Sequence, residues 1–135
     1  MVRMDLSRIV INETVAEQVI VLKEREGNRN FPIVIGIAEA MAIDRAINDR
    51  RALRPMTHDL IESILRLLKW EVERVVVNDL RDKTFYAKLV LVKNGERVEV
   101  DSRPSDAIAL AVLRDTPVYV EESVLRQVCK ENDLT

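Results

Sequence analysis

The residues best able to do chemistry fall in two short segments that resemble each other. Arg54-Pro55-Met56-Thr57-His58-Asp59 and Arg103-Pro104-Ser105-Asp106 each carry Arg-Pro, a hydroxyl residue and an aspartate, with an apolar helical pattern behind them. Two residues are inserted in the first copy. This composition suits phosphate. A helix start presents free N–H groups and partial positive charge to an anion. Arg54 and Arg103 offer forked donors for a pair of phosphate oxygens, and Thr57 and Ser105 stand beside them as further substrate-binding candidates. His58 is the only histidine; imidazole ordinarily titrates near neutral pH and suits general acid–base transfer. Asp101 ends a strand pattern just ahead of the second segment. With Asp106 and Glu39 it offers hard oxygen ligands for Mg²⁺ or Mn²⁺, with positions left open for phosphate and water. His58, Asp59, Asp101 and Asp106 are the catalytic candidates, and Asp101, Asp106 and Glu39 the metal-ligating ones.

Each of these residues also has a purely structural use. Proline is preorganised for the first turn of a helix. Thr57 or Ser105 can cap a helix by accepting a backbone N–H bond, and Asp59 and Asp106 suit the positive end of the helix dipole. Asp101 can pair with Arg103 or another arginine. Arg45, Arg50, Arg51 and Arg54 form a basic run, partly offset by Asp44 and Asp49. It reads either as a solvated helix end or as an edge that tracks phosphates. The residues alone leave both readings open.

Composition narrows the rest. The chain has 135 residues, 47% hydrophobic and 33% charged, a globular profile long enough for one domain spanning 1–135 with a real core. With 4% aromatics, that core must come mainly from Val, Ile, Leu and Ala. The net charge of −2 argues against coating nucleic acid by bulk charge. One cysteine excludes an intrachain disulfide and a multi-cysteine zinc site, and one histidine excludes imidazole clusters. Cys129 falls on the apolar face of the last helical pattern, as a small packing residue. The opening residues alternate and carry charge, unlike a signal peptide, and no apolar run is long enough to span a membrane. A cytoplasmic location is expected.

The elements that must position these residues follow from period and punctuation. Val2, Met4 and Leu6 alternate with charged residues, as in a half-buried strand. Val19–Leu22 and Phe31–Gly36 flank Gly27-Asn28 and read as a hairpin, with Pro32 marking an edge or a strand start. From Ile37 the apolar period becomes helical through Ile47. Leu60, Ile61, Ile64, Leu65, Leu67 and Leu68 give a second helix a broad apolar face, with Thr57 as its expected N-cap. Val72–Val77, Thr84–Val92 and Glu96–Asp101 form a three-stranded meander, with residues 78–83 as one turn region and Asn94-Gly95 as the other. A helix from Pro104 to Leu113, a short strand over Pro117–Val120 and a last helix complete the chain. Strands group together instead of alternating with helices. That order predicts an α+β fold, with antiparallel or mixed sheets (N-terminal hairpin strands and a central meander) packed with three to four helices. Phe85 and Tyr86 alternate, so one ring faces in and one out.

Five pieces taken in order resemble the bifunctional nuclease domain family. They are Phe31-Pro32-Ile33-Val34-Ile35-Gly36 with Glu39-Ala40, Arg54–Leu60, Thr84–Leu89, the eleven residues from Asp101 to Ala111, and Pro117–Val120. The Asp101–Ala111 piece is the most specific. The resemblance implies an α+β fold, homo-oligomers (dimers or larger) and nuclease activity towards DNA and RNA. It marks Glu39, Thr57, His58, Asp59, Asp101, Arg103, Ser105 and Asp106 as motif positions. Two positions depart from the family pattern: Val34 replaces an aromatic, and Asp115 replaces a glycine after the third helix. Two functions are expected in competition. One is a metal-dependent phosphodiester hydrolase; the other is a non-catalytic oligomeric binding or regulatory module that uses the Arg-Pro starts for ion pairs or anions.

Overall fold

The structure is a computed structural model that describes residues 1–50 and 52–133. Three strands come first: β1 (Val2–Val10), β2 (Glu17–Glu24) and β3 (Asn30–Gly36). Helices α1 (Ile37–Ile47) and α2 (Thr57–Leu67) follow. Then come β4 (Glu71–Arg81), β5 (Thr84–Lys93), β6 (Glu96–Ser102), α3 (Pro104–Arg114), β7 (Val118–Val120) and α4 (Glu122–Asp133). The architecture is α+β, with four helices among the described residues and a mixed sheet.

The N-terminal strands and the meander are not separate sheets. They belong to one seven-stranded sheet in the order β3-β2-β1-β7-β4-β5-β6. The splice is β7, only three residues long. It runs antiparallel to β1, with Val2 opposite Val120, and parallel to β4, with Val75 opposite Val118. Pro32 is on β3, an edge of the sheet, where a missing N–H costs no ladder bond. Val34 on the same strand is 58% exposed, so the position where the family pattern has an aromatic is a surface one.

The turns follow backbone chemistry. Asn94 (φ 49°) and Gly95 (φ 80°) both take the left-handed conformation that a two-residue hairpin turn requires. The other turn of the meander is shorter than residues 78–83. Strand β4 continues to Arg81, and only Asp82 (φ 48°) and Lys83 (φ 65°) turn. Register shifts at Val72/Arg74 and Val77/Asp79 let β4 carry Asn78 and Asp79 without breaking the ladder. Asp115 caps α3 at φ 54°, a left-handed site that explains why a glycine suits it.

Two clusters of buried side chains make the core. One gathers Ile20, Leu22, Phe31, Ile33, Ala40 and Ile43 with α4's Val124 and Leu125, and Cys129 packs against it. The other sets Val72, Val75, Ala87, Leu89 and Leu91 of β4 and β5 against α2 and α3. Helix α3 serves both: Ile108 and Ala109 enter the first, Ala107, Leu110 and Ala111 the second. Its alanines allow backbone to approach sheet closely. The rings of Phe85 and Phe31 lie 5.5 Å apart in the interior, while Tyr86 stacks under Arg81, so the two rings do face opposite ways. None of the described helices is long and apolar enough to cross a membrane.

Candidate active site at three helix starts

Helices α1, α2 and α3 each place an acid at the third position of the first turn: Glu39, Asp59 and Asp106. That position is favoured for a carboxylate by the exposed N–H groups and the dipole. What the fold adds is that these first turns meet. His58 Nε2 lies 2.9 Å from Asp106 Oδ1, joining α2 to α3. Arg103, the residue just ahead of α3, reaches both neighbours. Its Nε donates to Asp106 Oδ2 at 2.8 Å, and its Nη2 donates to Asp106 Oδ1 at 3.2 Å and to Glu39 Oε1 at 3.0 Å. The result is one continuous chain, Glu39···Arg103···Asp106···His58, drawn from three helices.

Local structure explains each placement. Gly36 caps α1, and a Cβ there would stand 2.4 Å from Glu39 Oε2, so the glycine lets the carboxylate fold back over the helix start. Pro104 fixes the first turn of α3 and is buried with Ser105, which seats Asp106 at the rim of the core. A second tie holds α2 to α3 further along, where Arg114 donates to Glu62 Oε1 at 3.3 Å.

The electrostatics of the chain favour the charged forms of Asp106 and Arg103. Burial pushes the Asp106 carboxyl up, but hydrogen bonds from Arg103 and His58, with their charges, outweigh it and hold the group below its ordinary value. The Asp106 bonds and charge in turn raise the Arg103 guanidinium. An ionised Asp106 can only accept. In its neutral form His58 then carries the hydrogen on Nε2, and Nδ1 holds a lone pair. Arg103 has one more asset: its side chain is 67% exposed, and Nη1 bonds no described residue.

An open cleft of about 740 Å³ adjoins this chain. Helix α1 lines it with Ala42, Arg45 and Ala46, helix α2 with His58, Asp59, Glu62 and Arg66, and the segment between them with Leu53 and Met56. Arg50 also borders it and pairs with Asp44. Arg45, half-buried on the cleft wall, forms no ion pair with a described residue. Arg51 of the basic run lies outside the described residues.

The fold thus brings together Glu39, His58, Arg103 and Asp106. It does not bring the other candidates into the chain. Asp59 accepts the Met56 N–H at 2.9 Å and serves its own helix start. This corrects the expected cap of α2: Met56, in extended conformation, is the N-cap, and Thr57 is the exposed first helical residue. Thr57 already has helical conformation, so the cap position falls on Met56, whose N–H the Asp59 carboxylate reaches from the third position of the turn. Ser105 likewise does not cap α3; Arg103 takes that position, and Ser105 is buried at 7% exposure. Arg54 is exposed. Asp101 is exposed on β6 opposite Lys88 and makes no bond to Arg103.

The carboxylates as arranged do not fit a resident Mg²⁺ or Mn²⁺. Glu39 and Asp106 both turn their oxygens to the Arg103 guanidinium, whose charge stands where an ion would. Among the described residues no group of three or more His, Cys, Asp or Glu side chains could hold a metal ion. The meeting of three helix starts was the part that sequence reasoning missed. The signal for it was present, an acid at the third residue of each helix, but nothing local tells which helix ends meet.

The profile of the bifunctional nuclease domain matches residues 20–133. An uncharacterised protein of Mycobacterium tuberculosis is 40% identical over 111 residues, covering 82% of this chain and 66% of that protein. Bifunctional nuclease 2 of rice (Oryza sativa subsp. japonica) is 29% identical over 118 residues, covering 84% of this chain and 36% of that protein. Bifunctional nuclease 2 of Arabidopsis thaliana is 29% identical over 107 residues, covering 76% of this chain and 32% of that protein. The chain therefore spans less than two thirds of the plant proteins and about two thirds of the mycobacterial one. The matched segment contains all four residues of the Glu39–His58 chain, and the protein belongs to the bifunctional nuclease domain family.

Proposed function

We propose that this chain hydrolyses phosphodiester bonds of DNA and RNA at the Glu39–Arg103–Asp106–His58 site. The observation that supports this most is the oriented histidine: Asp106 holds Nε2–H, and His58 lines a cleft wide enough for a nucleotide. His58 Nδ1 takes a proton from water as the oxygen attacks phosphorus. Asp106 stabilises the imidazolium that forms, in the way a buried carboxylate supports a catalytic histidine. Arg103 Nη1 donates to a non-bridging oxygen and offsets the charge growing there. As the ester P–O bond breaks, the imidazolium returns its proton to the leaving alkoxide. Arg45 on the cleft wall and the exposed Arg54 hold flanking phosphates in this reading. None of these steps runs through a metal ion. Cytoplasmic location and assembly into homo-oligomers, dimers or larger, complete the proposal.

A second reading has its own support. Both carboxylates and Arg103 are already satisfied as ion pairs, which would let the site serve only to lock three helix starts in a binding or regulatory module. One experiment separates the two. Purified wild type, His58→Ala and Asp106→Asn are incubated with single- and double-stranded DNA and RNA, in Mg²⁺, in Mn²⁺ and in chelator. Cleavage by wild type that falls at least about 100-fold in both variants supports hydrolysis. Equal cleavage by all three is contamination and overturns it. Activity that vanishes in chelator would mean that metal enters by a route this arrangement of donors does not provide.

A further inference from the structure

The cleft beside His58 has two kinds of lining. One is charged: Arg45, Arg50 and Arg66 face it among the described residues, and so do Asp49, Asp59 and Glu62. The two signs balance, and most of these groups are already committed. Arg50 pairs with Asp44, Arg66 with Glu62, Glu62 also accepts from Arg114, and Asp59 accepts the Met56 N–H. Arg45 is the lining arginine that pairs with no described residue. The other lining is apolar. Ala42 and Ala46 of α1, Leu53 and Met56 of the connecting segment, and Val112 and Leu113 of α3 border the same space. Leu53 is wholly exposed and Met56 is 48% exposed, so both offer apolar surface to whatever enters. No Phe, Tyr or Trp is among the described lining residues.

We infer that this site takes nucleic acid as a single strand, with unpaired bases against Leu53 and Met56 and phosphates on Arg45, Arg54 and Arg103. The inference rests on the hydrolytic site proposed above and names the form of its substrate. The apolar lining is the first reason. In a duplex the base faces are stacked on one another and closed to side chains, whereas an unpaired strand presents them. Aliphatic groups beside phosphate-binding arginines therefore have a use only when the bases are free. Depth is the second reason. The His58 side chain is 14% exposed and lines the cleft, so a scissile phosphate must come down between α1 and α2 to meet it. A duplex is stiff over about 150 base pairs and cannot bend one phosphate into such a space. The cleft volume of about 740 Å³ is that of a small-ligand site and admits roughly two nucleotides. Charge is the third reason. A balanced lining gives no extended basic footprint of the kind that holds duplex by its backbone. Base contact through Leu53 and Met56 is aliphatic, so it discriminates little among the four bases.

The test uses the full chain and a fluorescent strand of about 20 nucleotides, in DNA and in RNA, alone or annealed to its complement. Anisotropy with His58→Ala reads binding, and wild type reads cleavage. Filling the cleft from a duplex means opening about two base-pair steps, each worth roughly a factor of ten. The single strand is therefore expected to bind and to be cleaved about 100-fold better than the duplex, and a duplex with an unpaired internal loop is expected to be cut inside the loop. Three phosphate contacts predict a slope of about −2 for log K against log salt, shallower by about 0.7 in Arg45→Ala. Leu53→Ser is expected to raise KM about 5-fold with kcat nearly unchanged, since the contact it removes is uniform binding. Leu53 is wholly exposed, so the variant folds, and a merely structural role would leave KM alone. Duplex handled within about threefold of single strand, a salt slope of about −5 or steeper, or a KM unmoved by Leu53→Ser would each overturn the inference. Strand-selective binding without cleavage of any substrate would support it and remove the hydrolytic reading instead, so the two fail separately.

Discussion

At the start of α3, Pro104 and Ser105 are buried, and Asp106 holds one cation from its own segment and an imidazole from another helix. At the start of α2, Arg54, Pro55 and Thr57 are exposed, and Asp59 bonds the Met56 N–H of its own turn. The two segments share residue types and near-equal spacing. They differ in what surrounds them. Helix α3 runs between the two core clusters, so its first turn is in reach of both flanking helices. Helix α2 sits on the outside, so its first turn has only itself and α3 to contact. A motif with the same chemistry becomes a junction in one place and a helix cap in the other. The outer copy contributes to the junction through His58, one of the two residues that the inner copy lacks.

Substitutions at matched positions test that contrast. The largest difference is expected in catalysis. Asp106→Asn should lower turnover about 10³-fold by losing the orientation and charge support of His58, while Asp59→Asn should change it less than about 10-fold. Nuclease kinetics on one substrate check both; equal losses would erase the distinction. Stability comes next. Asp106→Ala leaves the half-buried His58 imidazole and the exposed Arg103 guanidinium without their shared partner and should cost about 1–2 kcal/mol in urea unfolding, against about 0.5–1 kcal/mol for Asp59→Ala, which loses only a cap bond.

The Asp106 contribution should also depend on pH. Burial raises this carboxyl, but bonds and charge from Arg103 and His58 lower it further, so its folded value lies below the ordinary one. Such a group stabilises fully above the ordinary carboxylate range, and its contribution is lost as pH falls through the folded value. Asp106→Asn should therefore flatten the acid side of the stability–pH curve relative to wild type. An unchanged acid side would mean that the ion pair contributes little. The smallest effects are expected at the arginines. Arg103→Ala should cost about 1 kcal/mol, discounted for its exposure, and Arg54→Ala no more than about 0.5 kcal/mol. Thermal unfolding of the pair reads the difference; a larger loss at Arg54 would reverse the ranking.

Much of this arrangement was legible in the sequence because it rests on local signals. The Asn94-Gly95 turn, the change of period at Ile37 and the Pro104 helix start each announce themselves within a few residues. Element order followed directly. Asp106, His58, Arg103 and Glu39 stood out by type and by the resemblance to a known family. Their grouping did not, because Arg103 and Glu39 are 64 residues apart and nothing near either encodes the contact. The cap of α2 shifts from Thr57 to Met56 because the helix already begins at Thr57, which only the backbone geometry shows. Residues 78–81 looked like a turn by composition, yet paired edges and a register shift keep them in β4. The broad apolar face of α2 is shared between a core contact and an open surface.

The splice made by β7 has a consequence for how the chain is built. Synthesis runs from the N-terminus, so the nine residues of β1 and the eleven of β4 emerge long before their shared neighbour. Until Val118–Val120 arrive, each half-sheet has a long, open inner edge able to pair with another strand. The last and shortest strand closes both edges at once. Closure of the sheet thus waits for residues 118–120, and a chain halted before Val118 would leave both inner edges open.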